Sequence, residues 1–294
     1  MTAEYKPGKH ADHQTVNVRH LAYVCHCWGD AAARPVFLLH GWADTGMSFQ
    51  FLADAMSEEW YLIAPDWRGF GDTERSSGGY WFPDYLADLD VLVDHYSPRH
   101  PVRLVGHSLG GNAACLYAGV RPGRISHLVS LDAFGLRDTR PSEAPARYVR
   151  WLDECRGTQA FTLHDDLNPV IARIRRLAPH LNRERARFIA RHWSRTTADG
   201  KWVVKVDAAH KRVNPVLYRR EEARSCWRRI TARVLLILGD ESDFYKRYRE
   251  EGGRDECQSC FRDFSELVLE GSDHMLHLDQ PEKMARMLDD FLRK

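Results

Sequence analysis

Six short apolar runs recur along the chain, each followed by a loop and then by residues with helical spacing. They are PVFLLH (35–40), WYLIAP (60–65), VRLVGH (102–107), HLVSLD (127–132), RVLLILG (233–239) and SELVLEG (265–271). Runs of this length without polar alternation are typical of strands that are buried on both faces, as in parallel sheets. Strands that alternate with helices predict an α/β fold with a mostly parallel, doubly wound sheet.

Two further patterns support this fold. The stretch QTVNVRHLAYVCHCWG (14–29) has the pattern of an antiparallel hairpin, which we expect at the edge of the sheet. Apolar residues also fall on single helical faces in two places, near residue 90 and at the end of the chain. These residues are Tyr85, Leu86, Leu89, Val93 and Tyr96 in the first place, and Met284, Met287, Leu288 and Phe291 in the second.

About a hundred residues separate Asp132 from the next apolar run at Arg233, which interrupts the alternation. A loop of that length is uncommon within a compact domain, and patches such as NRERARFIARHW (182–193) have helical spacing. We therefore expect a helical cap over residues 134–229, inserted into a core formed by residues 1–133 and 230–294.

The charges of the chain are unevenly distributed, although its formal net charge is only +1. Residues 134–229 hold 22 Lys+Arg and 11 Asp+Glu, whereas the remainder holds 20 and 30. A basic surface can attract nucleic acid, an anionic substrate or an acidic partner. Because the arginines are interleaved with glutamates and form no long basic block, we expect solvated helix faces and packing stems, without a nucleic-acid partner.

The cellular setting is predicted from what the sequence lacks. MTAEYKPGKHADHQ at the start has no apolar core of a secretion signal, and no apolar run approaches the ~18 residues of a membrane span. An odd number of scattered cysteines, seven, suits reduced thiols. CQSC (257–260) has metal or redox spacing but no second such pair, so we expect no metal, no cofactor, no membrane association and a cytoplasmic protein.

The stretch RLVGHSLGGN (103–112) places Ser108 in a Gly-x-Ser-x-Gly pattern between an apolar run and a helical stretch. A nucleophilic serine needs a strained turn between a strand and a helix, and such a turn requires Gly106 and Gly110 to lack side chains. The start of the following helix supplies backbone N–H groups and a positive dipole end for a developing oxyanion. This context predicts that Ser108 is a nucleophile.

The base that would activate Ser108 is expected elsewhere in the chain than its neighbour His107. Adjacent side chains diverge on a sharp turn, so His107 is predicted to be structural and a candidate for lining the substrate pocket. The stretch GSDHMLHLDQPEK (271–283) follows the last apolar run and offers His274. His277, three residues further on, is the weaker candidate.

The acid that orients His274 should lie between the serine and the histidine in the chain, after another strand. LILGDESDF (236–244) offers Asp240 and Asp243, and we favour Asp243 because the chain must turn before a side chain reaches the histidine. Asp132, at the end of HLVSLD, is the alternative.

An oxyanion hole needs two N–H donors. They are predicted to be the backbone N–H groups of Trp42, in the HGW turn, and of Leu109, at the helix start. The side chain of Trp42 is a second candidate for lining the substrate pocket.

From about Val16 to Phe291 the sequence resembles the α/β-hydrolase superfamily. The resemblance rests on HGW (40–42), APDWRGFGDT (64–73), GHSLGG (106–111), LILGDESD (236–243) and GSDHMLHLDQPE (271–282). Within the superfamily the pattern is similar to serine hydrolase-like proteins, carboxylesterases and meta-cleavage carbon–carbon hydrolases. It implies a triad of Ser108, Asp243 and His274, and a structural 64–73 loop in which Asp66 and Arg68 pair with neighbours. FYKRYREEGGRDECQSCFRDF (244–264) departs from the family pattern, because relatives usually run promptly into the last strand.

These patterns predict a cofactor-independent serine hydrolase that cleaves a carboxylic ester through an acyl-enzyme. Carbon–carbon bond hydrolysis and thioester or lactone cleavage use the same groups and remain alternatives, and a hydrolase-like receptor for a small ligand is the non-enzymatic one. We expect a small-molecule substrate and a monomer or homodimer. Uncharged esters should be turned over at least as well as anionic ones, since the cap arginines are assigned to packing.

Overall fold

An eight-stranded sheet forms the centre of the computed structural model, which describes residues 4–294. The strands of the chain are β1 (Asp12–Val18), β2 (Leu21–Trp28), β3 (Arg34–Leu39), β4 (Trp60–Pro65), β5 (Val102–His107), β6 (Ile125–Leu131), β7 (Ser194–Thr196), β8 (Trp202–Val204), β9 (Arg233–Gly239) and β10 (Phe264–Leu269). The order in the sheet is β1-β2-β4-β3-β5-β6-β9-β10. In this order, the neighbouring strands from β4 through β3, β5, β6 and β9 to β10 pair in parallel. Strands β1 and β2 form an antiparallel hairpin at the edge. The predicted fold class, hairpin and six strands are confirmed.

The central strands are apolar throughout because both faces of the sheet are covered. In β3, Phe37 and Leu39 pack into the hydrophobic cluster on one face, whereas Val36 and Leu38 pack into the cluster on the other. Successive side chains of a strand point to opposite faces, so a strand between two cores carries no polar alternation.

Helices cover both faces of this sheet. The helices of residues 4–294 are α1 (Gln50–Ala55), α2 (Phe82–Tyr96), α3 (Leu109–Val120), α4 (Ala144–Arg156), α5 (Asn168–Leu177), α6 (Arg183–Trp193), α7 (Arg220–Trp227), α8 (Asp243–Glu250), α9 (Gly253–Cys260), α10 (Leu276–Asp279) and α11 (Pro281–Leu292). Helix α2 packs beside α3, and α11 packs beside α1. The predicted faces are confirmed, since α2 buries Tyr85 and Leu89, and α11 buries Met284 and Leu288.

The long segment between β6 and β9 contains α4 to α7 and a small hairpin of β7 with β8, which the sequence did not predict. Helix α6 begins as expected for its sequence, because the Asn182 side chain accepts a hydrogen bond from the Arg185 N–H at 2.9 Å. Helix α7 packs directly on α3, so closely that a Cβ at Gly119 would lie 2.1 Å from the Cys226 carbonyl oxygen. The division into core and cap stays a prediction, and the packing of α7 favours a cap that ends before this helix.

Ion pairs join the basic 134–229 segment to the acidic remainder of the chain. They are Arg137–Glu251, Arg185–Glu282, Arg191–Glu4, Lys205–Asp72, Arg220–Glu256 and Arg224–Glu256. Most of these pairs are solvent-exposed and contribute little individually. Because these ion pairs join the two parts of the chain, they favour the interpretation that the uneven charge attracts the 134–229 segment to the core.

The charged 244–264 stretch folds into two helices, most of α8 and all of α9. Cys257 and Cys260 of the CQSC motif are buried in α9 as free thiols. Burial raises the pKa of the Cys257 thiol, which keeps it protonated and unreactive.

Over residues 4–294, no helix combines the length and apolarity that crossing a lipid bilayer requires.

Candidate active site

Ser108 occupies a strained turn between β5 and α3. Its backbone has φ 52° and ψ −113°, which is unusual for a residue with a side chain, and its N–H donates to the Leu131 carbonyl at 3.0 Å. Leu109 is the first residue of α3, so its N–H has no partner within the helix. The turn therefore presents a serine beside a free helix N-terminus.

The glycines on either side of Ser108 are required by close backbone packing. A Cβ at Gly106 would lie 2.5 Å from the Gly110 carbonyl oxygen, and a Cβ at Gly110 would lie 2.1 Å from the Leu39 carbonyl oxygen. Both contacts are far shorter than real Cβ contacts, and backbone atoms cannot move aside cheaply. The sharp turn depends on these two glycines.

The HGW turn lies against Ser108. A Cβ at Gly41 would lie 3.2 Å from Ser108 Cβ. His40 fixes the turn, because its Nδ1–H donates to the Gly41 carbonyl at 2.7 Å while its Nε2 accepts from the Trp67 N–H at 2.9 Å. Burial lowers the pKa of His40 to about 4, so the ring is neutral at neutral pH, as this bonding requires. The role of the Trp42 and Leu109 N–H groups as oxyanion donors stays a prediction.

A histidine–carboxylate pair lies at the same edge of the sheet. His274 Nδ1 is 2.6 Å from Asp132 Oδ2, and the Asp132 side chain has no exposed surface. Asp132 Oδ1 accepts a hydrogen bond from the Ser242 hydroxyl at 3.0 Å. Burial raises the pKa of Asp132, while its hydrogen bond with His274 acts in the opposite direction. A carboxylate held at Nδ1 leaves Nε2 of His274 as the basic nitrogen.

The sequence-based preference for Asp243 as the partner of His274 is wrong in this structure. The Asp243 side chain is 98% exposed and pairs with Lys246 at 2.9 Å. Asp243 is the first residue of α8, directly after its N-cap Ser242, so it projects into solvent. Asp240 is also occupied elsewhere, because its carboxylate accepts from the Gly271 N–H at 2.7 Å. The alternative, Asp132, is the carboxylate that reaches His274.

The sequence carried a signal against Asp243, and the pairing of the strands explains why Asp132 reaches His274. Asp132 directly follows β6, which pairs in parallel with β9 so that Leu131 lies opposite Ile237. Carboxyl ends of neighbouring parallel strands meet at one edge of the sheet, so either strand can deliver the acid. Ser242 before Asp243 is a typical N-cap, which predicts that Asp243 begins a helix and faces solvent.

His107 contacts the backbone of the loop that carries His274. Its side chain is 1% exposed, and its Nε2–H donates to the His274 carbonyl at 2.8 Å. Burial lowers the pKa of His107 well below its usual value, so the ring is neutral. The expectation that His107 is structural agrees with this contact. Its candidacy for lining a substrate pocket is wrong, because the ring is enclosed by protein.

His277 lies behind His107 in a buried polar cluster with Asp44. The two imidazole centroids are 4.8 Å apart, and His277 Nε2 lies 3.2 Å from Ser48 Oγ, which donates to Asp44 Oδ2 at 2.9 Å. Asp44 also accepts from the Trp193 indole N–H at 2.8 Å. The ligand atoms of Asp44, His107 and His277 lie within 4.8 Å of one another, so among residues 4–294 these three side chains could together hold a metal ion. Because the His277 side chain is fully buried, it is unsuited to act as the base.

The 64–73 loop is held by buried ion pairs, as expected for a structural element. Arg68 binds Asp88 through two hydrogen bonds of 2.6 and 2.7 Å. Asp66 lies 3.1 Å from His26 Nε2 and accepts from the Gly46 N–H at 2.7 Å. The predicted pairing of Asp66 and Arg68 with neighbours is confirmed.

Of two cavities that share a lining residue, one is lined by His274. The first has a volume of about 630 Å³ and is lined by Arg137, Leu177, Asp243, Phe244, Arg247, Asp273 and His274. The second, of about 920 Å³, lies mainly between α2, α3 and the 134–229 segment, and its walls include Trp81, Leu86, Leu116 and Trp227. Arg137 lines both cavities. The Trp42 side chain is 44% exposed but lines neither of these two cavities.

Together, the mostly parallel sheet and the serine turn beside a histidine–carboxylate pair define the α/β-hydrolase class. The chain belongs to this family, since the family model described as alpha/beta hydrolase fold matches residues 34–281.

Individual relatives agree with this assignment. The chain is 26% identical over 279 residues to a serine hydrolase-like protein of Danio rerio, covering 90% of this chain and 83% of that protein. Among solved structures, the thioesterase domain from the curacin biosynthetic pathway superposes with a TM-score of 0.84 at 20% identity, covering 95% of this chain and 99% of that one. An esterase from Mycobacterium tuberculosis superposes with a TM-score of 0.72 at 22% identity, covering 97% and 92%. At these identities the two structures establish the fold.

Proposed function

We propose that the protein is a serine hydrolase that cleaves carboxylic esters, with Ser108 as nucleophile, His274 as base and Asp132 as the acid that orients the base. The observation that carries this proposal is the 2.6 Å contact between His274 Nδ1 and the fully buried Asp132 carboxylate, beside the strained Ser108 turn. Similarity to serine hydrolase-like proteins and esterases supports the assignment.

The proposed reaction begins with proton transfer from Ser108 to Nε2 of His274, while the serine oxygen attacks the ester carbonyl. The developing negative charge is placed beside the N–H groups of Leu109 and Trp42. His274 then returns the proton to the departing alcohol. Water, activated by the same histidine, attacks the acyl-enzyme and releases the acid and free Ser108. Asp132 stabilises the imidazolium in both steps because it accepts the Nδ1–H.

The experiment is hydrolysis of p-nitrophenyl butyrate by the wild type and by Ser108→Ala. We expect turnover in the wild type and a loss of several orders of magnitude in kcat for the variant, since the acyl-enzyme can no longer form. The matched control is Ser126→Ala, a serine on β6 whose hydroxyl donates to the Val102 carbonyl at 3.2 Å and lies 3.1 Å from His127 Nδ1, away from the site. Equal activity of wild type and Ser108→Ala would refute the proposal.

A further inference from the structure

The charged 244–264 stretch, which departs from the family pattern, contributes to the wall of the candidate active site. Helix α8 places Phe244 and Arg247 in the lining of the 630 Å³ cavity that His274 also lines. A substrate positioned at His274 would therefore have the Arg247 side chain in the same cavity.

Arg247 is a half-buried cation without a carboxylate partner in residues 4–294. Its guanidinium lies over the Phe244 ring at 4.6 Å from the centroid, and Nη2 donates to the Gly135 carbonyl at 3.1 Å. No Asp or Glu oxygen of these residues lies within ion-pair distance of it, in contrast to Arg137, which pairs with Glu251 at 3.0 Å. A guanidinium has five N–H donors, so most of its donors remain free for a ligand.

The other charged side chains of this lining differ in their partners. Arg137 and Asp243 are in ion pairs of 3.0 Å and 2.9 Å, whereas the Asp273 carboxylate accepts from the His274 backbone N–H at 2.7 Å and keeps its negative charge. Within residues 4–294, Arg247 is thus the guanidinium of this lining that has no carboxylate partner. A planar guanidinium binds a carboxylate through two parallel hydrogen bonds, which fixes orientation as well as charge.

We propose that Arg247 binds a carboxylate of the substrate, so that the substrate class is an ester carrying a second, ionised carboxyl group. This inference rests on the proposed ester hydrolysis at Ser108. It reverses the sequence-based expectation that uncharged esters are turned over at least as well, because that expectation considered only the arginines of residues 134–229 and Arg247 lies outside them.

The test compares charged and uncharged esters that are otherwise alike. One pair is mono-p-nitrophenyl succinate and its methyl ester, and the other is 4-acetoxybenzoate and its methyl ester, so that the carboxylate lies on the acyl side in one pair and on the alcohol side in the other. Each is assayed with the wild type, Arg247→Met, Arg247→Lys and Arg249→Met. Arg249 is the matched control, because it lies on the same helix, is exposed and contacts Tyr245 instead of the cavity.

For at least one pair, we expect Arg247→Met to lower kcat/KM of the anionic ester about 10- to 100-fold, as loss of a charged hydrogen-bonded partner does. The neutral ester should change less than about threefold, Arg247→Lys should lie between wild type and Arg247→Met, and Arg249→Met should change neither. Equal losses for charged and neutral esters, or no loss for either anion, would overturn the proposal.

Calorimetric binding of mono-p-nitrophenyl succinate to Ser108→Ala, with and without Arg247→Met, separates this proposal from the proposed function. Binding that requires Arg247, together with a wild type that turns over no ester, would support the carboxylate site and contradict the hydrolase. Ester turnover by the wild type that does not depend on Arg247 would support the hydrolase and contradict the carboxylate site.

Discussion

Replacing Asp132 with Asn tests the part of the site that the structure assigns differently from the sequence. The substitution keeps the shape of the side chain and removes its charge, at a position with no exposed surface and 2.6 Å from His274 Nδ1. An amide neither selects the Nδ1–H tautomer nor stabilises the imidazolium. Such a loss lowers kcat by about 10³ to 10⁴, which is roughly 4 to 5.5 kcal/mol of transition-state stabilisation.

The assay is steady-state hydrolysis of p-nitrophenyl butyrate, with near-ultraviolet circular dichroism to confirm that each variant is folded. Asp243→Asn is the matched control, because it removes the same charge from a side chain that is 98% exposed. Its kcat should stay within about threefold of the wild type, since an exposed charge of this kind contributes little. A folded Asp132→Asn protein of nearly normal activity, or a greater loss in Asp243→Asn, would show that Asp132 is not the acid that orients His274.

Three further predictions follow from the same contacts. His107→Gln should keep kcat within about tenfold of the wild type, because His107 bonds the His274 carbonyl and not a reacting atom. His274→Ala should lose about 10⁴-fold or more in kcat. A folded but inactive His107→Gln protein would contradict this prediction. Burial raises the pKa of Asp44 from 3.8 to about 7. The protonated Asp44 carboxyl therefore contributes fully to the stability of the fold below about pH 4, and this contribution is lost as pH rises through 7. Wild type should accordingly lose up to about 1.4 kcal/mol of unfolding free energy per pH unit relative to Asp44→Asn in denaturant titrations, and a constant difference would disprove it. Gly110→Ala should destabilise the fold by about 3 kcal/mol or more, because its Cβ would lie 2.1 Å from the Leu39 carbonyl oxygen, and an unchanged melting temperature would show that the turn relaxes.

The sheet was predictable from the sequence because burial on both faces leaves a strong local pattern. Strands such as β3 and β4 read as unbroken apolar runs, and the serine turn carries its glycines at fixed spacing. The β7–β8 hairpin was missed because its strands have three residues each, too few to show a period of two.

The acid was predicted incorrectly because its assignment depends on tertiary structure. In the sequence, Asp132, Asp240 and Asp243 each follow a strand. Only the parallel pairing of β6 with β9 shows that Asp132 lies at the same edge of the sheet as the loop after β9. The N-cap at Ser242 turns Asp243 outward, and that local signal competed with the chain-order argument. The position of Arg247 likewise depends on how α8 packs, which its charged sequence does not reveal.

Covalent labelling tests most directly whether Ser108 is an activated nucleophile. The wild type is incubated with a fluorophosphonate probe, and its intact mass and labelled peptide are measured beside those of Ser108→Ala and the control Ser126→Ala. We expect one adduct per chain, located at Ser108, present in Ser126→Ala and absent from Ser108→Ala, since only an activated serine attacks phosphorus rapidly. An unlabelled wild type, or an adduct that persists in Ser108→Ala, would contradict the claim that Ser108 is the nucleophile.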